Sequence, residues 1–403
     1  MKILKLFAVV AAVASIGSVS RAVVAQTPTV QMPPPQAQAP TPLNVCWADA
    51  RDLAALSPRG RLADLSLRGN STRNSVADAV GCGLHPERLV GATAELGGVS
   101  LNVSIQPLTV RGAYLGGLAD PRENGGVWTG RGFNAFARTG VSVDIGPVHL
   151  IATPQAWYAE NREYQTFPSG NPSRSSFASP WYNPPFSIDL PSRFGTAPVK
   201  QIDPGESAAW VALGPIDLGA STSSQQWGPG ERGNLILGPD APGIPRAFVR
   251  TSRPFYTPIG KFTAAAFTGT LTSSRYFSLD SANQLRTMNA INVAWSPGDS
   301  SSFTLGVAYA TMQSGARFGA SPSQPLTGPT DALGEVYMQF RDPRTGIRAW
   351  TEIGRAGGLP NLRQFLTVPY QGLAYIVGAE RAIISGRNIL LISLEAADLE
   401  QPT

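Results

Sequence analysis

The sequence predicts an all-β protein, a large antiparallel outer-membrane β-barrel of about 14–18 strands, preceded by a small helical module. Three observations predict it. The chain opens with an export leader, its composition suits strands and turns, and from about Val99 its apolar side chains recur with a period of two.

The leader sets the compartment. Lys2 and Lys5 precede an apolar run from Leu6 to Val19, and Val23-Val24-Ala25 offers small residues before Gln26. That order reads as a secretory signal peptide over residues 1–25. A membrane anchor, the alternative, needs a longer apolar run. Removing the leader takes away Lys2, Lys5 and Arg21 and no acid, so the net charge falls from +5 to +2. The basic balance is mostly the leader, and nucleic-acid binding loses its support.

Composition narrows the class. Only 15% of the 403 residues are charged, against about 25% in a typical soluble domain. The 42 glycines and 35 prolines keep long helices rare, through backbone entropy and the missing proline donor. Sixteen Phe, ten Tyr and eight Trp argue against disorder. Beyond the leader no apolar run approaches the ~20 residues of a spanning helix, which excludes a helical membrane bundle.

The chain divides by composition. Residues 26–42 hold six prolines and no charge, the pattern of an extended linker. Residues 43–95 read as a small, mostly helical module, in which Asn44 caps a helix through Leu56 that Ser57-Pro58-Arg59-Gly60 ends. Cys46 and Cys82 could pair in an oxidising space, free thiols being the alternative. Residues 96–403 form the barrel.

There the period is two. In Phe303-Thr304-Leu305-Gly306-Val307-Ala308-Tyr309-Ala310 the large apolar side chains take odd positions and small or polar ones take even positions. Alternate strand side chains point to opposite faces, so Phe303, Leu305, Val307 and Tyr309 are expected to face lipid. Val336, Met338 and Phe340 share one face of the next run, with Glu335, Tyr337, Gln339 and Arg341 on the other. Leu101–Val110, Ser142–Ala152, Ala208–Leu218, Lys261–Leu271, Asn289–Trp295, Ile347–Ile353, Leu373–Ala379 and Ile389–Leu394 look similar. A soluble sandwich also alternates. The charged or hydrogen-bonding character of inward residues such as Arg348, Trp350 and Glu352 favours a barrel with a polar interior.

Catalytic signals are weak. His85 and His149 stand 64 residues apart without metal-ligand spacing, and the Gly228–Asn234 segment lacks the Lys-Ser/Thr of a phosphate loop. Glu335 and Glu352 could serve glycoside hydrolysis only if they stood about 5–10 Å apart, which sequence cannot establish. No enzyme, cofactor or metal site is predicted. Carbohydrate recognition is better supported, because sugar faces stack on aromatic rings and hydroxyls suit planar hydrogen-bonding groups. Trp227, Arg232 and Asn234 cluster at a Gly-Pro-Gly turn, and Arg348, Trp350 and Glu352 share one strand face. These six are the candidate polysaccharide-binding residues. Girdle or plug packing is the competing role for the tryptophans.

Three stretches together resemble the capsule assembly Wzi family. They are Glu123–Asn134 with Pro154–Asn161, Ser187–Gly195, and Gln226–Gly238 continuing through Ala241–Pro245 to Pro254. The resemblance implies a monomeric outer-membrane β-barrel with a periplasmic helical portion, binding capsular polysaccharide like a lectin, without catalysis. Gln226 stands where the family often has a further tryptophan, and Pro239-Asp240 where it tends to have paired asparagines. The end at Gln401-Pro402-Thr403 lacks a C-terminal aromatic, so closing strands are expected to be missing. A porin-like channel and a secreted carbohydrate-active enzyme are the rival functions.

Overall fold

Antiparallel pairing organises the described chain. The computed structural model describes residues 90–96, 99–116, 127–167, 175–179, 189, 191–230, 233–238, 242–274, 276, 285–297, 302–314, 332–342, 347–356, 373–385 and 388–399. The predicted leader, the linker, the helix after Asn44, both cysteines and Arg232 lie outside these residues.

Among the described residues seventeen strands form one sheet. The first five are β1 (Val90–Leu96), β2 (Val99–Leu115), β3 (Gly132–Ile145), β4 (Val148–Ala152) and β5 (Gln155–Ala159). Then come β6 (Val199–Asp203), β7 (Ala208–Leu213), β8 (Ile216–Ser221), β9 (Arg246–Thr251) and β10 (Phe255–Thr257). Long strands finish the wall: β11 (Gly260–Thr272), β12 (Leu285–Ser296), β13 (Phe303–Ser314), β14 (Ala332–Asp342), β15 (Ile347–Ala356), β16 (Leu373–Ser385) and β17 (Asn388–Leu399). The sheet therefore starts at Val90, six residues before the expected barrel boundary.

Some strands share a place in the wall. β4 and β5 pair with successive parts of β3, and β7 and β6 pair in turn with β4 and β5. β9 and β10 likewise line successive parts of β11. From β11 to β17 each strand pairs with the next. Short turns thus join strand ends on one side of the wall. The connections 116–131, 160–198, 222–245, 273–284, 315–331 and 357–372 join the ends on the other.

Two stretches expected as single strands are hairpins. Ser142–Ala152 turns at Gly146-Pro147, and Ala208–Leu218 at Gly214-Pro215. Both glycines have positive φ, 53° and 66°. A glycine there followed by a φ-restricted residue suits a two-residue hairpin, across which the outward face passes from odd positions (Ile145, Leu213) to even ones (Val148, Ile216).

Polarity across the wall is inverted relative to a soluble protein. Val307, Val336, Met338, Phe340, Ile353 and Val377 are exposed, whereas Glu335, Tyr337, Arg348, Trp350, Glu352 and Glu380 are buried. On β13, Thr304, Gly306, Ala308 and Ala310 are buried, while Phe303, Leu305 and Tyr309 are half-buried on the outward face with Val307. The two-residue period put the residues of β13 and β14, and Arg348, Trp350 and Glu352 of β15, on their observed faces.

The buried face wraps around chain of its own. Residues 222–230, 233–238 and 242–245, between β8 and β9, run as a strap against it. Trp227 and, partly buried beside it, Ile236, Leu237 and Ile244 pack with Ile151 of β4, Ala208 of β7, Phe248 of β9, Phe267 of β11, Met288 and Ala290 of β12, and Ala308 and Ala310 of β13. Small side chains on β12 and β13 leave the strap its room. Glycine serves the same purpose elsewhere. A Cβ at Gly306 would lie 2.0 Å from the Tyr337 ring, and one at Gly378 2.2 Å from the Trp350 ring. Both aromatics therefore lie flat along the wall over the neighbouring strand.

Candidate functional site

The strap is anchored at both of its described ends. At its start, Arg246 of β9 donates from Nη1 to the Ser223 carbonyl at 2.6 Å and from Nη2 to Ser223 Oγ at 3.0 Å. Glu206 accepts from the Ser224 backbone N–H at 3.1 Å and from its hydroxyl at 2.9 Å. Further on, the Trp227 N–H donates to the Leu237 carbonyl at 2.9 Å, which folds the strap into a closed loop.

Glu352 of β15 grips the tip of that loop. Its Oε1 accepts from the Gly230 N–H at 2.6 Å and from Asn234 Nδ2 at 3.0 Å, and its Oε2 accepts from the Leu235 N–H at 3.2 Å. Gln226 Nε2 donates to the Gly230 carbonyl at 2.7 Å and to Asn234 Oδ1 at 2.8 Å. Arg348, two residues before Trp350 on the same strand face, donates from Nη2 to the Pro229 carbonyl at 2.7 Å. Its guanidinium stands 4.6 Å from the centre of the Trp350 ring, and Trp350 Nε1 donates to Glu395 of β17 at 3.0 Å.

Four of the six candidates, Asn234, Arg348, Trp350 and Glu352, thus meet at the strap's tip, and Trp227 packs in the apolar cluster beside it, although sequence separated them into two groups. Trp227 and Glu352 are 0% exposed, Trp350 3% and Arg348 5%; Asn234 is half-buried. The Trp227 ring meets Phe267 edge-on at 5.5 Å, so its faces are turned to protein.

Glu335 is the residue the sequence reading left aside. It lies diagonally from Glu352 across the β14–β15 pair, since Glu335 faces Gly354 and Tyr337 faces Glu352. A Cβ on Gly228 would stand 2.4 Å from Glu352 Oε1 and 2.8 Å from Glu335 Oε1. The two carboxylates therefore converge on one glycine of the strap, whose φ of +88° other residues rarely adopt. Neither Glu335 oxygen accepts a hydrogen bond from an N–H among the described residues. Next to it, Tyr337 donates its hydroxyl proton to Asn292 Oδ1 at 3.0 Å. The convergence was invisible in sequence because it needs both the strand register and the strap's path.

The other conspicuous stretches meet at the strand ends that carry the long connections. Asn134 holds the Gly130 N–H and the carbonyls of Gly130 and Gly132 at 2.8–3.0 Å. Asn161, at φ 56°, donates to the Gly195 and Ala197 carbonyls at 3.0 and 2.8 Å, and Arg193 donates to the Asn161 carbonyl at 2.6 Å. Trp128 packs edge-on against Phe194 at 4.9 Å. On the outward side, Glu160 accepts from the Phe133 N–H at 2.7 Å and from Arg162 Nε at 2.6 Å. The first of these, then the second, holds the Glu160 carboxyl below the usual carboxylate range.

His149 of β4 contacts Asp144 Oδ1 at 2.8 Å and stacks on Trp210 at 4.9 Å. Among the described residues no group of three or more His, Cys, Asp or Glu could hold a metal ion.

No protein-family model matches this chain, and no curated protein does. Among solved structures it is similar to Wzi of Escherichia coli, an outer-membrane protein involved in group 1 capsule assembly and described as a carbohydrate-binding β-barrel. Identity is 13% and the TM-score 0.47, over 81% of this chain and 61% of that one. The chain thus spans less than two thirds of that neighbour's length. It is also similar to a triple mutant of Rhodopseudomonas blastica porin, at 9% identity and a TM-score of 0.26 over 74% of this chain and 85% of that one.

Proposed function

We propose that this chain is an exported, monomeric outer-membrane β-barrel protein that binds capsular or other surface polysaccharide and helps hold it at the cell surface, without catalysis. The inverted wall carries the membrane part of the reading. A sheet whose exposed side chains are Val307, Val336, Met338, Ile353 and Val377 needs an apolar solvent around it, and only closed β-structures and helices satisfy their backbones in lipid. Short turns then belong on the periplasmic side and the long connections outside.

The strap favours a binding protein over the porin-like alternative. It fills the buried side of the wall with Trp227 and its partners, where a diffusion channel keeps a polar, water-filled lumen. The ligand class rests on the resemblance of three sequence stretches to the Wzi family. Two of them build the brace at Asn134, Asn161 and Arg193, and the third is the strap. In this reading Trp227, Asn234, Arg348, Trp350 and Glu352 serve the glycan by holding the strap in place, and Arg232 is a candidate contact to the glycan itself. Glu335 and Glu352 are enclosed by that strap, which argues against their acting on a substrate.

The test uses purified protein refolded into lipid vesicles. Expected are heat-modifiable migration on gels, co-sedimentation of the vesicles with capsular polysaccharide, and no ion conductance in planar bilayers. Steady conductance without polysaccharide binding would establish the porin reading. Soluble protein that releases sugars from the polymer would establish the enzyme.

A further inference from the structure

Only four lysines occur in the chain, against 28 arginines, and two of them lie in the leader. The other two occupy equivalent places at opposite ends of the wall. Lys200 of β6 has its Nζ 5.9 Å from the centre of the Tyr158 ring, and Lys261 of β11 has its Nζ 5.6 Å from that of Tyr256. Lys200 marks the strand ends with long connections, and Lys261 marks those with short turns.

The Lys200 end carries a continuous aromatic row. Tyr114 of β2 and Phe133 of β3 are register partners, 65% and 48% exposed. The Phe133 and Tyr158 rings stand 6.5 Å apart. Arg162 caps the far end of the row, 5.8 Å from the centre of the Tyr114 ring, with Nη1 donating to the Tyr114 hydroxyl at 3.2 Å. Along β2 the exposed Val110, Leu108 and Ile105 continue the row down the wall as aliphatic surface. Aliphatic, then aromatic, then cationic is the order of a hydrocarbon–headgroup boundary.

Charge selects the occupant. Arg162 is largely answered by Glu160 at 2.6 Å, but Lys200 is exposed and has no ion-pair partner among the described residues. A lysine stem can lie along a tyrosine ring while its ammonium reaches the headgroup layer. We propose that Tyr114, Phe133, Tyr158, Arg162 and Lys200 form a docking surface for the net-negative phosphate headgroup of an anionic membrane lipid. This rests on the membrane placement proposed above.

The experiment reconstitutes the full chain in phosphatidylcholine vesicles with or without phosphatidylglycerol, and counts retained lipids by native mass spectrometry. Wild type should retain phosphatidylglycerol in preference to phosphatidylcholine. Lys200→Gln should cut that preference about fivefold, the factor matching ~1 kcal/mol per basic side chain at an anionic surface, and Lys200→Arg should restore it. Inorganic phosphate should not compete, because the aromatic row needs the attached acyl chains. Equal retention of both lipids by wild type, an unchanged preference in Lys200→Gln, or competition by inorganic phosphate would overturn the proposal. Heat-modifiable insertion alongside equal retention would leave the membrane placement standing; failure to insert in either vesicle would remove both.

Discussion

Glu352 and Gly230, 122 positions apart in the chain, are joined by a 2.6 Å hydrogen bond from the Gly230 N–H to Oε1. This bond ties a β15 side chain to the backbone of the strap. With the further bonds from Asn234 and Leu235, it lets one carboxylate hold the tip of the strap. Removing a buried acceptor strands its donors, and each stranded donor costs about 1–3 kcal/mol.

Glu352→Ala should therefore lower stability by ~3 kcal/mol and make the strap a site of proteolytic nicking, read by denaturant unfolding and limited proteolysis. Glu335→Gln should cost little, since the Glu335 oxygens accept from no N–H among the described residues and an amide can still donate toward Glu352. Equal losses in the two variants would contradict the division of roles between these carboxylates.

Gly228→Ala should destabilise by at least ~2 kcal/mol, because the added Cβ meets both carboxylates and φ is +88°. Gly233→Ala is the control five residues on: a Cβ there meets nothing within 4 Å. Paired unfolding curves separate the two, and similar curves would place the strap elsewhere.

Trp227→Ala should cost about 3–5 kcal/mol as a buried aromatic truncation and weaken polysaccharide retention as the strap loosens. Trp227→Phe should keep both, because the indole Nε1 has no partner to lose among the described residues. Loss of polysaccharide in a stable Trp227→Phe protein would instead mean that the indole itself touches the glycan.

Val307→Arg should cost about 2–4 kcal/mol on refolding into vesicles if the side chain lies near the bilayer midplane. Val307 is 53% exposed, so in a water-soluble sheet the same change would be close to neutral. The vesicle measurement thus reads which solvent the outer face meets.

The Glu160 brace should respond to acid. Its folded pKa is depressed, so its contribution is present above the unfolded value of 4.5 and is lost as the pH falls through the lower folded value. Amide exchange at Phe133, whose N–H donates to Glu160 at 2.7 Å, should accelerate in that acidic window and not near neutrality. Exchange independent of pH-driven protonation, after correction for intrinsic rates, would remove the brace.

From β11 onward the strand positions, and on β13 to β15 their faces, were readable from the sequence alone. Alternation is a local property of extended backbone, so Val336 against Tyr337, or Val307 against Ala308, needed no knowledge of the rest of the chain. Hairpins at Gly146-Pro147 and Gly214-Pro215 escaped notice because both flanks alternate, although the turn shifts the outward face from odd to even positions. What only the tertiary structure decided is what the inner face meets. Trp227 and Trp350 have the chemistry of sugar platforms, yet both are enclosed, since the wall curls around residues 222–245 and turns those rings toward protein. That enclosure depends on the register between distant strands and on small residues, such as Gly306, Ala308 and Gly378, making room across neighbouring strands. Side-chain type is written in the sequence; which solvent, partner or neighbour receives it is set by packing.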